Sequence, residues 1–227
     1  MRIGAIVTLA LSLAAVPAGA QGAEWSGELS LVSDYRYRGV SLSGEKPALQ
    51  AAAAVELEAG FHGELWVSTI KNDGAGKVEL DASAGYAVDL AEDISLDLSA
   101  TYYLYPAHGA SNALECTALL ERTRGPLTAS LGASVAPPQK GTRDDEDRRR
   151  TNLYVFAGLG YDVPDTPLRL RAQIGRERGP WDMRDRGSKW DYALGLDAEF
   201  KRAIVSFDLV GSNAAPAGLV GALAFPF

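Results

Sequence analysis

The stretch KVELDASAGYAVDL, residues 77–90, decides the fold class of this chain. Apolar side chains occupy every second position, and charged or small polar side chains occupy most positions between them. The two sets are Val78, Leu80, Ala82, Ala84, Tyr86 and Val88 against Lys77, Glu79, Asp81, Ser83 and Asp89. Successive side chains of a β-strand point to opposite faces, so this period of two predicts a strand with one apolar and one polar face.

The same alternation recurs along the chain in a series of segments of about ten residues. The segments are Trp25–Arg38, Ala48–Ala59, Glu64–Lys71, Lys77–Leu90, Ile94–Tyr105, Ala113–Thr123, Leu127–Val135, Asn152–Val163, Leu168–Arg176, Lys189–Lys201, Ala203–Val210 and Leu219–Phe227. Alternating segments of this length, separated by turn residues, are typical of outer-membrane barrels. The sequence therefore predicts an all-β fold, a transmembrane antiparallel up-and-down β-barrel of about 12 strands.

The connections between these segments favour the same architecture. The odd-numbered connections are residues 39–47, 72–76, 106–112, 136–150, 177–188 and 211–218, and the even-numbered ones are 60–63, 91–93, 124–126, 164–167 and 202. Each odd connection is longer than every even one. A barrel with both termini in the periplasm alternates long outer loops with short inner turns, whereas a soluble β-sandwich has no reason to do so.

Residues 1–20 have the pattern of a cleaved secretory signal peptide. Arg2 supplies the positive charge, residues 3–16 form a near-continuous apolar core, and Ala18-Gly19-Ala20 matches a small-residue cleavage site. The apolar run is shorter than the roughly 20 residues that a membrane-spanning helix needs. We therefore expect a signal peptide at residues 1–20 and a barrel at residues 21–227 in the bacterial outer membrane.

Aromatic residues concentrate near the ends of the segments, which predicts belts at the two membrane interfaces. We expect Tyr35, Tyr37, Tyr102, Trp190 and Tyr192 at the outer rim, and Trp25, Tyr161, Phe200, Phe225 and Phe227 at the periplasmic rim. The chain ends on Phe227 after Leu223 and Phe225 at a spacing of two. This ending resembles the terminal strand of outer-membrane proteins, whose last Phe is read by the barrel-assembly machinery.

Composition argues against several other classes of function. The net charge of −7 disfavours nucleic acid as a partner, because phosphate binding needs a basic patch. Cys116 is the only cysteine, which excludes an intrachain disulfide and a cysteine-based metal site. His62 is predicted in a periplasmic turn and His108 in an outer loop. Although Ser43 and Ser111 could approach His108, no specific triad pattern supports them, so we predict no enzyme, no catalytic residues and no cofactor.

The polar faces predict the side chains that line the pore. Carboxylates come from segments two to six, namely Glu56, Glu58, Glu79, Asp81, Asp97, Glu115 and Glu121, and Arg169 and Arg171 come from segment nine. In a barrel of 12 strands, strand nine lies opposite strand three. One hypothesis is a transverse field across the lumen, which would orient dipolar solutes. The other is that these charges pair with one another and fill the lumen.

The stretch SDYRYRGVSLSGEKPALQ, residues 33–50, spans the predicted mouth of the pore. Its period of two places Asp34, Arg36 and Arg38 on one face and Tyr35 and Tyr37 on the other. We expect the charged face to line the entrance and the tyrosines to lie in the outer aromatic belt. In an alternative interpretation, Asp34 pairs with Arg36 and only braces the rim.

Residues 33–41, SDYRYRGVS, followed by Pro47-Ala48-Leu49-Gln50, resemble the TorF family of porins, also called Gcw_chp, which are proteobacterial proteins of unknown function. Weaker resemblances follow in the family's order at Glu79-Leu80-Asp81, Gly85-Tyr86, Tyr102 to Pro106, Glu115, Asn152-Leu153-Tyr154 and Asp191-Tyr192. The resemblance implies an outer-membrane location and a pore, with no known substrate or catalytic residues. The charged insert at residues 139–150 is longer than we expect of the family.

We therefore predict a passive diffusion channel for small polar or charged solutes. One alternative is a non-conducting structural or adhesive barrel that displays charged outer loops, and another is a soluble periplasmic β-sandwich. The expected partners are outer-membrane lipid and lipopolysaccharide, the barrel-assembly machinery and the solutes themselves. The charge runs at residues 140–150 and 176–189 are predicted to be solvated loops. In the alternative interpretation they contact the anionic sugar layer, through Arg or through divalent cations held by Asp144, Asp145, Glu146 and Asp147.

Overall fold

A computed structural model describes residues 22–72, 76–184 and 187–227, so the predicted signal peptide lies outside the described residues. The described chain forms a closed barrel of 12 antiparallel strands, as the alternation predicts. The strands are β1 (Ala23–Val32), β2 (Ala48–Leu57), β3 (Phe61–Asn72), β4 (Gly76–Ala91), β5 (Ile94–Leu104), β6 (Ala113–Arg124), β7 (Leu127–Ala136), β8 (Asn152–Asp162), β9 (Leu168–Arg178), β10 (Lys189–Phe200), β11 (Ala203–Ser212) and β12 (Gly218–Pro226).

The barrel closes between its first and last strands. Each strand pairs with its neighbours in the chain, and β12 returns to β1, with Leu29 opposite Phe225. Beyond β12, the backbone of Phe227 exchanges two hydrogen bonds with that of Gly27, at 2.8 and 2.9 Å. Closure leaves no strand with unpaired backbone groups, which is the condition for a sheet placed in an apolar medium.

The distribution of side chains is inverted relative to that of a soluble protein. Large apolar residues such as Leu65, Leu131 and Phe207 are exposed on the outer surface, whereas Ser68, Glu79 and Glu115 are buried on the inner one. A β-sandwich packs its apolar faces against each other. The sandwich alternative is therefore wrong. Among the described residues, no helix has the length and apolar character needed to cross a membrane.

The connections differ in length between the two ends of the barrel. At one end, here called the mouth end, they are residues 33–47, 73–75, 105–112, 137–151, 179–188 and 213–217. At the other, the turn end, they are 58–60, 92–93, 125–126, 163–167 and 201–202. The predicted length rule is wrong at 73–75, which is shorter than 163–167 because β3 and β4 extend to Asn72 and Gly76. It is also wrong at 213–217, which is equal in length to 163–167. Residues 73–75 lie outside the described residues.

Candidate functional site

The connection after β1 folds into the barrel rather than away from it. Residues 36–41 form a short hairpin, here called the rim hairpin, in which Arg36–Tyr37 pairs with Val40–Ser41. Its turn is Arg38-Gly39, with φ values of 47° and 83°. Two successive positive φ values are the requirement of a type I′ turn, which glycine meets without strain. A Cβ on Gly39 would lie 2.6 Å from the Gly211 carbonyl oxygen, so the hairpin also needs glycine in order to approach β11.

An apolar cluster inside the mouth anchors the base of the rim hairpin. Tyr35 packs among the inward side chains of Val32, Ala48 and Ile70, and its ring meets that of Trp66 edge-on, with centroids 5.3 Å apart. Tyr35 is only 4% exposed. The backbone directly after the rim hairpin is tied to β3 by the hydrogen bond from Lys71 N to Leu42 O at 2.8 Å.

The prediction that Tyr35 and Tyr37 lie in the outer aromatic belt is therefore wrong. The first segment was expected to continue to Arg38, but β1 ends at Val32 and both rings lie inside the barrel. The physical reason is that alternation of polar and aromatic side chains also suits a hairpin folded across the lumen. The period of two does not report in which direction the chain leaves the wall.

Asp34 is the acceptor that holds the hairpin base together. Its carboxylate accepts hydrogen bonds from Ser41 Oγ at 2.6 Å and Ser43 Oγ at 2.9 Å, and from Arg36 Nε at 2.6 Å. Arg36 also donates to the carbonyl oxygen of Pro216 at 2.7 Å. The structure thus contains the Asp34–Arg36 pair of the bracing alternative, and Arg36 links the hairpin to the connection between β11 and β12.

Arg38 extends from the hairpin tip to the opposite wall of the barrel. Its Nη2 donates to Glu115 Oε2 of β6 at 2.6 Å, and its Nη1 donates to Glu177 Oε1 of β9 at 2.5 Å. The guanidinium carbon lies 3.9 Å from the ring centroid of Tyr154, on β8. Since β6, β8 and β9 lie across the lumen from β1, the rim hairpin and the Arg38 side chain together span the mouth.

Lys189 of β10 completes a buried cluster of four charges, here called the ion lock: Arg38, Glu115, Glu177 and Lys189. Lys189 pairs with Glu177, which also accepts a hydrogen bond from Asn152 Nδ2 at 2.9 Å. Burial lowers the pKa of Arg38, but Tyr37, Glu115 and Glu177 outweigh it, so this pKa lies above its ordinary value. The lock therefore holds two cations and two carboxylates away from water, an arrangement that is stable only while every member is paired.

Three aromatic side chains from different elements surround the ion lock. The hydroxyls of Tyr37 and Tyr103 lie 3.1 Å apart, and they are 3.3 and 3.1 Å from Glu115 Oε2, to which each can donate its single proton. Trp181, from the connection after β9, meets the Tyr103 ring edge-on with centroids 6.1 Å apart. Sequence reasoning missed these partners of the hairpin. Tyr103 carries one usable signal, since it is an aromatic residue on the polar face of its segment.

Below the ion lock the lumen is wetter. Arg169, Arg171 and His62 point inward, yet their side chains remain 29, 27 and 23% exposed. Glycine in the barrel wall lets a large side chain lie flat against the wall. The Phe156 ring rests on Gly132, where a Cβ would overlap it. The partial exposure of these charged side chains contrasts with the buried groups of the mouth.

The basic residues of the lower lumen are paired with acids on neighbouring strands. Arg171 contacts Asp197 at 2.6 and 2.8 Å and Asp208 at 3.0 Å, and Arg169 contacts Asp162 at 3.0 Å. These pairs balance the positive charge of that wall locally. The transverse-field hypothesis stays a prediction, but its basic side has lost most of its net charge to these neighbours.

The remaining predicted pore residues lie at different depths. Glu79 is buried and accepts a hydrogen bond from Tyr105 at 2.6 Å, while Asp81 and Glu121 are also inward. Glu56 is half-buried near the turn end, and Glu58 is exposed just beyond β2.

Asp97 takes part in a contact that the sequence did not predict. Its Oδ2 lies 2.5 Å from His62 Nε2. His62 lies in β3, so its predicted location in a turn is wrong. The reason is that β3 begins at Phe61, three residues before the alternation becomes clear, and places His62 against the inward face of Gly85.

The charged connection between β7 and β8 neutralises itself. Asp144 accepts hydrogen bonds from Arg148 Nε at 3.0 Å and Arg150 Nε at 2.6 Å, and Arg143 pairs with Asp147. Desolvation raises the pKa of Asp144, but hydrogen bonds from Arg148 and Arg150 lower it by a larger amount. The pKa of Asp144 therefore lies below its ordinary range. Within the described ranges, no group of three or more His, Cys, Asp or Glu side chains could hold a metal ion.

Comparison with known proteins identifies a family and a fold. The model of the family Gcw_chp, described as a bacterial protein of unknown function, matches residues 16–224. No curated protein sequence matches the chain. In structure the chain is similar to the KdgM porin, with a TM-score of 0.63 at 9% identity, covering 89% of this chain and 99% of that one. KdgM has also been solved in complex with disordered oligogalacturonate.

Two further solved structures share the fold over most of their length. The NanC porin has a TM-score of 0.57 at 10% identity, covering 87% of this chain and 97% of NanC. The COG4313 outer membrane channel from Pseudomonas putida F1 has a TM-score of 0.55 at 12% identity, covering 92% of this chain and 96% of the channel. At these identities the likeness concerns the fold.

Proposed function

Because this chain belongs to the Gcw_chp family of bacterial proteins of unknown function, its activity has to be argued from the barrel itself, and we propose that it is an outer-membrane porin. It would let small polar or charged solutes diffuse passively through the lumen. The observation that carries the proposal is the closed barrel with an apolar outer surface and inward Arg169, Arg171 and His62 side chains that reach water. The TorF name stays a prediction.

The outer surface supports a location in the lipid of the outer membrane. Exposed aromatic residues lie near both ends of the strands, with Trp190 and Tyr192 towards the mouth end and Phe225 and Phe227 towards the turn end. Such residues are typical of membrane interfaces. We place the mouth end outside the cell, with its charged connections against lipopolysaccharide, and the turn end in the periplasm. Recovery of the protein in the inner-membrane or soluble fraction would contradict this location.

The C-terminal strand supports assembly by the barrel-assembly machinery. Leu223, Phe225 and Phe227 alternate on the outer surface, and the Phe227 ring covers Gly27 of β1. We infer that the machinery recognises this strand before it closes against β1. Replacing Phe227 by Ala should therefore reduce the amount of folded protein in the outer membrane.

Transport would be governed by the rim hairpin and by the charges below it. The hairpin narrows the mouth, so only small hydrated solutes would pass, and wall charges would set their sign. The KdgM porin has been seen with oligogalacturonate. We do not propose oligogalacturonate as a solute of this chain, because carboxylates dominate the inward face of β1 to β4 and would repel a polyanion. The proposal includes no catalytic step.

Single-channel recording in a planar lipid bilayer tests the proposal. Purified protein should be folded first, as judged by the heat-dependent mobility of barrels on gels. Discrete, voltage-stable conductance steps are the expected result. A folded barrel that inserts without conducting would contradict the porin proposal.

A second candidate, a non-conducting barrel that displays its loops, is favoured by one observation. The ion lock is almost completely buried, with Arg38 at 6%, Glu115 at 3% and Glu177 at 0% exposure, so the mouth is packed at that level. Under this alternative, the wild-type barrel is silent, and a variant that lacks the rim hairpin conducts. Under the porin proposal, both conduct.

A further inference from the structure

One wall of the lumen carries carboxylates that form no ion pair with a basic side chain of the described residues. They are Glu28 of β1, Glu64 of β3, and Glu79 and Asp81 of β4, here called the acidic strip. The strand register places them side by side, since Glu28 lies opposite Ala52, Ala52 opposite Trp66, and Trp66 opposite Asp81. The strip therefore lies on three strands, β1, β3 and β4, with Ala52 of β2 between them, and it faces the lumen below the rim hairpin.

The acidic strip differs from the other charged groups of the lumen in its pairing. In the part of the chain that the structure describes, Arg171, Arg169 and Arg38 all form ion pairs with carboxylates, but those carboxylates are not in the strip. No ion pair joins a described basic side chain to any of the four strip residues. Once ionised, the strip is a region of negative charge, and the basic side chain beside it, His62 of β3, pairs with Asp97.

Individual oxygens in the strip also lack hydrogen-bond donors. Glu28 is 4% exposed, and its Oε2 has no partner, as is the case for Glu79 Oε2 and Asp81 Oδ1. A buried carboxylate oxygen is stabilised by a donor or a cation beside it, or the group takes up a proton.

We propose that the acidic strip binds small monovalent cations in transit and makes the pore cation-selective. This inference rests on the proposed porin function and adds to it the class of solute. A wall of uncompensated carboxylates raises the local concentration of cations and excludes anions, and a narrow, partly dry lumen strengthens both effects. The ion pairs of the opposite wall oppose this effect only weakly, because Arg171 lies between two carboxylates.

The test is the reversal potential of the wild-type channel in a gradient of potassium chloride. We expect a potassium-to-chloride permeability ratio well above one. The triple variant Glu28→Gln, Glu64→Gln, Asp81→Asn should reduce that ratio several-fold, towards one. A matched control, Asp145→Asn, Glu146→Gln, Asp147→Asn, removes the same charge from the exposed connection between β7 and β8 and should leave the ratio nearly unchanged.

The outcomes separate this inference from the porin proposal. A wild-type channel without cation preference would overturn the proposed role of the acidic strip while the porin proposal stands. A triple variant with the wild-type permeability ratio would do the same. A folded barrel without any conductance overturns both. If the triple variant does not fold, Glu64→Gln alone should shift the ratio in the same direction by a smaller amount, and an unshifted ratio in that variant would also overturn the strip.

Discussion

The mouth and the lower lumen of this barrel arrange charge in opposite ways. In the ion lock, Arg38 joins Glu115 and Glu177 across the lumen, and all three are buried. In the lower lumen, Arg171 joins Asp197 and Asp208 on the two strands that follow its own, and it remains partly exposed to water. Bridges across the lumen narrow the mouth, whereas bridges along the wall join side chains on one side of the barrel.

This difference follows from where the charged side chains are attached. Arg38 is carried by a hairpin that crosses the barrel, so it reaches strands far from β1 in the sheet. Arg171 is carried by the wall, so its carboxylate partners are on the same side. Charged residues of the same types can therefore narrow the lumen or line its wall, and the path of the backbone decides which.

Removing the rim hairpin should have the largest effect, because it would abolish the difference between the mouth and the lower lumen. We expect replacement of residues 36–41 by Gly-Gly to raise the single-channel conductance several-fold. The control replaces residues 143–148, in the exposed connection between β7 and β8, by the same dipeptide and should leave the conductance unchanged. Equal conductance of the hairpin variant and the wild type would show that the hairpin does not narrow the pore.

Arg38→Met tests whether the lock stabilises the fold as well as narrowing the mouth. Glu115 would lose the one ion pair that it forms among the described residues while it stays buried, and removing one member of a buried pair costs about 3–5 kcal/mol. The measurement is the free energy of unfolding in urea, followed by gel mobility. Adding Glu115→Gln should recover part of the loss, and a change below about 1 kcal/mol in the single variant would contradict a dry lock.

Exchanging Arg169 and Arg171 for Glu should have a smaller effect on stability than Arg38→Met and a clear effect on selectivity. The side chains are partly hydrated, so we expect a loss of about 1–3 kcal/mol in the free energy of unfolding. The reversal potential in a salt gradient should move towards greater cation preference. An unchanged reversal potential would show that these wall residues do not influence the permeating ions.

The smallest effect is expected from the exposed pair of Arg143 and Asp147, which belongs to neither level. Arg143→Ala should change the free energy of unfolding by less than about 1 kcal/mol, since surface ion pairs contribute little. The same urea titration measures it. A larger loss would mean that the connection between β7 and β8 stabilises the mouth.

The alternation of the sequence predicted all 12 strands in order, and it predicted that Glu79, Glu115 and Arg171 face inward. It failed where a strand ends without a change of pattern. At the mouth, the polar and aromatic alternation runs past Val32 into the rim hairpin. At β3, a weak pattern hid the start of the strand, so His62 was expected in a turn.

By itself, the sequence determined the class of fold, because a period of two over about ten residues can satisfy a barrel wall with lipid on one side and a polar lumen on the other. Only the tertiary structure decided that Arg38 pairs with Glu115 and Glu177, and that Glu28 and Asp81 form no ion pair within the described part of the chain. The pattern along a strand reports which face a side chain occupies. Which charges meet across the lumen depends on strand order, closure and the direction in which a loop folds, and none of these has a local signal in the sequence.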